Sequence, residues 1–171
     1  MILLSIGSNL NSTFGDRFAN IRKSIDFLKI EKIKIKKISN FFETPSYPNN
    51  NFPRFINIAV SIECNFKPEL LLQKICMIEK KMERVKTVKN EPRTCDIDII
   101  DFNGVVLSSN NLNLPHPNAH ERNFVLYPLL EVAPQWVHPI SNKKIDILIK
   151  NLTFRSSNEI TRLDESVMLN K

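Results

Sequence analysis

Two carboxylates stand one residue apart in "CDIDIIDF", Cys95 to Phe102. Asp96 and Asp98 alternate with Ile97 and Ile99, the pattern of a β-strand with one apolar face. Residues i and i+2 of a strand share a face, so the two acids project together with Cα atoms about 6.5–7 Å apart. Unpaired carboxylates this close repel each other, and a cation between them removes the penalty. Oxygen ligands at this spacing suit Mg²⁺, which takes one or two carboxylates and fills its shell with water and substrate phosphates. Two such ions about 3.5–4 Å apart form the clamp used in phosphoryl chemistry. Asp101 has the opposite parity and is left out of the set. Alone, the D-x-D spacing also suits the polar face of an exposed strand, so its surroundings must decide.

Those surroundings are cationic. Arg84, Lys86, Lys89 and Arg93 precede the aspartates, and His116 and Arg122 follow in a later loop. Arginine grips phosphate with two parallel N–H groups, and lysine supplies a mobile point charge. The chain has only three glycines, Gly7, Gly15 and Gly104, and holds neither G-x-x-x-x-G-K-[ST] nor G-x-G-x-x-G. A bound nucleotide would therefore be held by side chains and metal instead of a backbone cradle.

The elements that position these groups follow from hydrophobic periodicity. Leu3 to Ile6 reads as a strand and Gly7 to Thr13 as a polar loop. Asp16 to Lys29 reads as a helix, with Phe18, Ile21, Ile25 and Leu28 on one face. Lys32 to Thr44 is expected as one long strand, and "PSYPNNNFP", Pro45 to Pro53, as a loop. Phe55 to Cys64 alternates as a strand. Pro68 opens a helix running to about Arg84, since proline suits a first helical turn. Val85 to Thr94 is a basic loop and Cys95 to Phe102 a strand. Asn103-Gly104 turns a hairpin into Val105 to Leu107. Leu114 to Arg122 is a loop, and Phe124 to Val132 and Lys143 to Leu152 are short helices. The polar tail, residues 153–171, is expected to fray. The order β-α-β-β-α-β with a C-terminal helical extension predicts an α+β fold: a ferredoxin-like antiparallel sheet with helices on its faces.

Composition sets the outer limits. A chain of 171 residues is expected to form one domain with a sizeable core. No apolar run reaches the ~18–20 residues that span a bilayer. "MILLSIGSNL" lacks the basic start of a signal peptide and reads as a buried strand, so a cytoplasmic protein with no membrane partner is expected. The net charge of +6 favours an anionic partner. The lysines of "KIEKIKIKK", Lys29 to Lys37, fit a solvated strand face. Cys64, Cys76 and Cys95 form no C-x-x-C pair and are expected as reduced core thiols.

"PRTCDIDII", Pro92 to Ile100, followed by "LPHPNAHERNFVLYPLLEVAP", Leu114 to Pro134, resembles the signature of the 6-hydroxymethyl-7,8-dihydropterin pyrophosphokinases, enzymes of the folate pathway. "SIGSNL" (Ser5 to Leu10), "ETPSY" (Glu43 to Tyr47) and "FINIAV" (Phe55 to Val60) are similar to that family in the same order. The likeness covers about residues 1–150. P-R-T-x-D-x-D and P-H-P-x-x-x-x-R-x-F are specific together and would not be decisive singly.

The resemblance implies transfer of pyrophosphate from ATP to the hydroxymethyl group of 6-hydroxymethyl-7,8-dihydropterin, with release of AMP. It implies that Asp96 and Asp98 bind two Mg²⁺ ions. It makes Arg84 and Arg93 catalytic, with Lys86, Lys89 and Arg122 neutralising the triphosphate. It gives His116 a phosphate to donate to, Glu79 a nucleoside contact, and Ile99 a place among the ATP contacts. Phe55 and Phe124 match the pair that stacks on the pterin, Asn57 the amide that reads its edge, and Thr44 and Pro45 the lip. By parity Phe55 and Asn57 share one strand face. Departures are Asn90-Glu91, where many members carry Trp-Gly, and Lys86 and Lys89, where some carry arginine. The loops Pro45 to Pro53 and Val85 to Thr94 flank the site and are expected to close over substrates, excluding water.

Two other readings stay open on the residues alone. A ferredoxin-like RNA-binding module fits the charge, yet the run K/R-G-F/Y-G/A-F is absent and two aspartates would repel a phosphate backbone. A two-metal nuclease would share the aspartates but has no use for Asn57 between aromatic residues. The small-molecule reading carries no nucleic-acid partner and a monomeric chain.

Overall fold

Ile2–Ser8 forms β1, the centre of the molecule, and every one of its residues is buried. A computed structural model describes residues 1–85, 91–153, 158–165 and 167. β1 is followed by α1 (Arg17–Ile30), β2 (Lys34–Ile38), β3 (Phe42–Thr44), β4 (Phe55–Glu63), α2 (Pro68–Lys81) and β5 (Asp96–Phe102). β1 lies between β4 and β5, antiparallel to both, and β2 and β3 pair with β4. This is the antiparallel βαββαβ arrangement expected from the sequence, with helices on both faces.

Strand alternation divides the core in two. One face of the sheet presents Ile2, Leu4, Ile6, Ile56, Ile58, Val60, Ile97 and Ile99 to α1 and α2. The other presents Leu3, Ala59 and Ile100 to α3 (Asn123–Val132) and α4 (Ile145–Lys150). Asp16 caps α1 by accepting a hydrogen bond from the Ala19 N–H. Pro68 opens α2, where a missing N–H costs nothing. No helix among the described residues is long and apolar enough to cross a membrane.

Four local expectations are corrected. The long strand over Lys32 to Thr44 is broken into β2 and β3. Register shifts once within β2, and at the break the Ser39 hydroxyl takes the Ala59 N–H that a carbonyl would otherwise accept. Asn103 and Gly104 do form a left-handed turn, but the chain beyond it does not return along β5. Instead β6 (Leu107–Ser108) pairs with β7 (Asn113–Leu114) in a separate ribbon. Part of the tail is ordered: β8 (Thr161–Arg162) pairs with β3, and Val167 is buried in the first core. Of the cysteines only Cys95 is a core thiol; Cys64 is half-buried and Cys76 exposed.

Candidate functional site

Register across three strands places the expected residues in one row. Asp96 of β5 lies opposite Gly7 of β1, which lies opposite Asn57 of β4. One step along, Asp98 lies opposite Ser5, which faces Ala59. All point to the sheet face that also carries the α3–α4 core, but that apolar cluster stops short of Gly7, Asn57 and Asp96. Gly7 forms the floor between the two polar side chains. A Cβ there would come within 2.9 Å of Asn57 Oδ1 and 3.5 Å of the Phe55 ring.

Asn57 is buried, and its Nδ2 donates to Thr44 Oγ1 at 3.1 Å. Among the described residues its Oδ1 accepts no hydrogen bond, so an acceptor is left facing the floor. That oxygen is not among the buried atoms sealed from solvent, so it is open to accept an N–H from a ligand. Phe55 and Phe124 are both half-buried and make no ring contact with each other. Pro45 follows Thr44 at the end of β3, also half-buried.

The cationic side meets Asp96. Arg84 Nη1 lies 2.7 Å from Asp96 Oδ1, and Arg93 Nη1 lies 3.1 Å from Asp96 Oδ2. The same Arg84 nitrogen donates to Glu79 Oε1 on α2, which also accepts the Ile97 N–H at 2.9 Å. Burial raises the Glu79 carboxyl above the usual range, against the pull of Arg84 and of the Ile97 N–H. Glu79 thereby ties α2 to β5 between the two aspartates and holds Arg84 over them.

Asp98 is in a different electrostatic state. Its side chain is only partly exposed, and its carboxyl is closely surrounded by protein. Burial, and after it the neighbouring Asp96 charge, push its carboxyl up to about 7. His116 Nε2 lies 3.9 Å from Asp98 Oδ2. Burial, and then the Arg122 charge, lower His116 to about 4, so the ring is neutral near pH 7. Its Nδ1 accepts the Asn118 N–H at 3.2 Å, which leaves the proton on Nε2, facing the acidic pair. Arg122 holds its guanidinium carbon 5.5 Å from the centre of the Phe124 ring, linking the cationic side to the aromatic side.

The donor set fits Mg²⁺. Two carboxylates share one face, and burial, then the Asp96 charge, disfavours ionised Asp98, a penalty that a cation between them would offset. Among the described residues no third acidic, His or Cys ligand joins them, so the rest of the shell falls to water and phosphate oxygen.

The structure thus brings together Glu79, Arg84, Arg93, Asp96, Asp98, His116 and Arg122 on one side, and Thr44, Pro45, Phe55, Asn57 and Phe124 on the other. Lys86 and Lys89, with the middle of the expected closing loop, lie outside the described residues. Ile99 does not join by its side chain, which is buried in the core on the opposite face. Its main chain shares the outer edge of β5 with the Ile97 N–H. Asp101 is absent from the site, but parity is not the reason. A bulge at Ile99–Ile100, between the pairs Leu4↔Ile99 and Leu3↔Asp101, turns Asp101 back to the acidic face. It is spoken for there: Trp136 Nε1 donates to one oxygen at 2.6 Å and the Gly104 N–H to the other at 2.8 Å. Gly7 belongs to the site and Asn9 lies behind it, bonded to the Arg93 main chain, and neither was singled out by spacing. The signal lay in "SIGSNL", where a glycine interrupts a buried strand and an amide follows it.

A model of the 7,8-dihydro-6-hydroxymethylpterin-pyrophosphokinase (HPPK) family matches residues 3–134. The folic acid synthesis protein FOL1 of Dictyostelium discoideum is 40% identical over 140 residues, which is 81% of this chain but 20% of that protein. The chain therefore spans about a fifth of that relative's length. The 2-amino-4-hydroxy-6-hydroxymethyldihydropteridine pyrophosphokinase of Aquifex aeolicus is 36% identical over 144 residues, covering 84% of this chain and 87% of that protein. The crystal structure of wild-type Plasmodium falciparum HPPK-DHPS superposes with a TM-score of 0.68 at 16% identity, covering 94% of this chain and 47% of that one, and shares the fold. A family match across most of the length, joined to relatives above 30% identity, establishes that the chain belongs to the HPPK family.

Proposed function

We propose that this protein transfers pyrophosphate from ATP to the hydroxymethyl group of 6-hydroxymethyl-7,8-dihydropterin and releases AMP. The observation that carries the reading is the cross-strand row Asp96–Gly7–Asn57: a carboxylate and an amide on either side of a floor without a side chain. The row sets a flat heterocycle beside the phosphate side of the site. Asn57 reads the edge of the pterin, Phe55 and Phe124 take its two faces, and Thr44 and Pro45 close the rim. Residues of this kind suit a flat, polar-edged ligand.

On the other side, Arg84, Arg93 and Arg122 hold the triphosphate, and His116 donates Nε2–H to a phosphate oxygen. Asp96 and Asp98 would hold two Mg²⁺ ions, which would supply positive charge to offset that of the phosphates. The substrate oxygen attacks the β-phosphorus in line and gives its proton to solvent water, and the bond from that phosphorus to the α–β bridging oxygen breaks. AMP leaves with the electron pair. Arg84 and Arg93 stabilise the charge gathering on the departing oxygen, and positioning with charge stabilisation supplies most of the acceleration. An RNA-binding module or a two-metal nuclease would share the fold or the aspartates, but neither needs an amide and two phenylalanines around a glycine floor.

Incubating the full chain with Mg²⁺-ATP and the hydroxymethyl dihydropterin, and then identifying the nucleotide product, tests this. AMP in equal amount to pterin diphosphate is expected. ADP, or no pterin-dependent turnover, would overturn it.

A further inference from the structure

Asn9 sits just beyond the end of β1 and is 1% exposed, with every polar group of its side chain engaged. Its Oδ1 accepts the Arg93 N–H at 2.7 Å, and its own N–H donates to the Arg93 carbonyl at 3.0 Å. Asn9 therefore grips the main chain of Arg93 from both sides, three residues before Asp96. Its Nδ2 turns the other way and donates to Ser46 Oγ at 3.2 Å and to the Pro53 carbonyl at 3.1 Å. Ser46 is itself buried and donates to the same Pro53 carbonyl at 2.5 Å. Ser46 and Pro53 lie near the two ends of the proline-rich loop whose first residue is Pro45. One buried amide thus spans the arginine on the phosphate side and the loop on the pterin side.

We infer that Asn9 is a positioning residue that couples the two substrate subsites: settling of Arg93 on a polyphosphate and closure of the Pro45–Pro53 loop on a pterin are transmitted through its side chain. The inference rests on the proposed pairing of a nucleotide with a pterin. Asn9 touches neither substrate in this scheme and acts through Arg93 and Ser46. The amide is suited to the task because it presents an acceptor to one segment and two donors to the other, in one plane. Asparagine is the smallest side chain that does both. Aspartate keeps the acceptor for Arg93 and loses both donors to the loop, whereas Ser46→Ala loosens the loop without touching Arg93.

The test is a binding cycle on the full chain. The affinity for 6-hydroxymethyl-7,8-dihydropterin is measured by calorimetry without and with Mg²⁺ and α,β-methylene ATP, in which the scissile bridge is blocked. In the wild type the nucleotide analogue is expected to tighten pterin binding by a factor in the usual range of site–site coupling, about 5- to 150-fold. In Asn9→Asp and in Ser46→Ala that factor should fall toward one, while pterin binding without nucleotide changes little. A purely structural role would lower the melting temperature and weaken both ligands alike, leaving the ratio intact. An unchanged ratio in both variants, or no coupling in the wild type, overturns the inference and leaves the proposed reaction standing. Failure of the wild type to bind either ligand would instead overturn the reaction.

Discussion

The two faces of this sheet are built from the same strands and do opposite things. On one, β1, β4 and β5 contribute Ile2, Leu4, Ile6, Ile56, Ile58, Val60, Ile97 and Ile99, and α1 and α2 cover them. On the other, the intervening residues run from Leu3, Ala59 and Ile100 at the covered end to Gly7, Asn57, Asp96 and Asp98 at the polar end. A strand can therefore hold a fold together through one set of side chains and do chemistry through the set between them. The two tasks should separate cleanly under mutation.

The largest effect is expected at Asp98. Asp98→Asn should lower turnover by about 10²–10³-fold, the scale of losing one electrostatic stabiliser of a transition state. It should not lower the melting temperature of the metal-free protein, because Asp98 is held with burial and Asp96 against its charge. Steady-state kinetics alongside thermal melts would decide the point. A variant that unfolds early would show that the polar face also holds the fold.

Next comes Gly7. An added Cβ meets Asn57 Oδ1 at 2.9 Å, and Asn57 is tethered by Thr44, so the amide has to move. The Gly7 backbone is not in the left-handed region, so little folding strain is expected. Gly7→Ala should raise KM for the pterin by about 10-fold, equivalent to about 1.4 kcal/mol, with KM for ATP nearly unchanged. Equal increases in both would mean that the floor serves the phosphate side as well.

The mirror experiment is Ile58→Val on the apolar face. Ile58 is fully buried, and loss of one methyl should cost about 0.5–1.5 kcal/mol of stability. For a chain of this size that is a few degrees of melting temperature, roughly 2–4 °C per kcal/mol. Turnover per folded molecule at 25 °C should be unaltered. A change in kcat would show packing strain passing through the sheet from one face to the other.

How much of this was legible follows from what alternation can and cannot encode. Parity alone put Asp96 with Asp98 and Phe55 with Asn57, because a period of two is a property of every strand. Parity misread Asp101, since one extra residue reverses every position beyond it. The clue was the doublet Ile99-Ile100, two apolar residues side by side in an alternating run, which is how a bulge looks in a sequence. The break between β2 and β3 left a fainter trace, a serine and an asparagine before Phe41-Phe42. Pairing partners outside the main sheet were not legible: nothing local to Leu107 says that it joins Leu114 instead of returning along β5. The same holds for β8, whose place beside β3 is secured by distant ion pairs, Arg162 with Glu131 and Arg22 with Glu165. Asn9 was hidden for a related reason. Its role lies in hydrogen bonds to residues 37, 44 and 84 positions away, and spacing along the chain carries no trace of them.

The smallest effect concerns charge on the structural side. Glu31, the C-cap residue of α1, receives Lys74 at 2.8 Å and Lys81 at 3.1 Å, both from α2. The hydrogen bond from Lys74, and then that from Lys81, hold its carboxyl below the usual glutamate value. A group with a lowered folded-state pKa stabilises the fold above its unfolded value and loses that contribution as pH falls through the folded one. The helix–helix tie is therefore complete near neutrality and fades in acid, below the ordinary glutamate range. Glu31→Gln should melt slightly below the wild type at pH 7, and the two curves should converge as the pH is lowered beneath that range. High salt should narrow the gap at pH 7, as for any ion pair within reach of solvent ions. The pterin and ATP constants of Glu31→Gln should match the wild type at every pH where both are folded, since α1 and α2 lie across the sheet from the acidic pair. A shift in either constant would mean that the helices tied by Glu31 also set the height of Glu79, which sits on α2 and reaches Arg84 and β5. In that case the separation of the faces would hold for the strands and fail at α2.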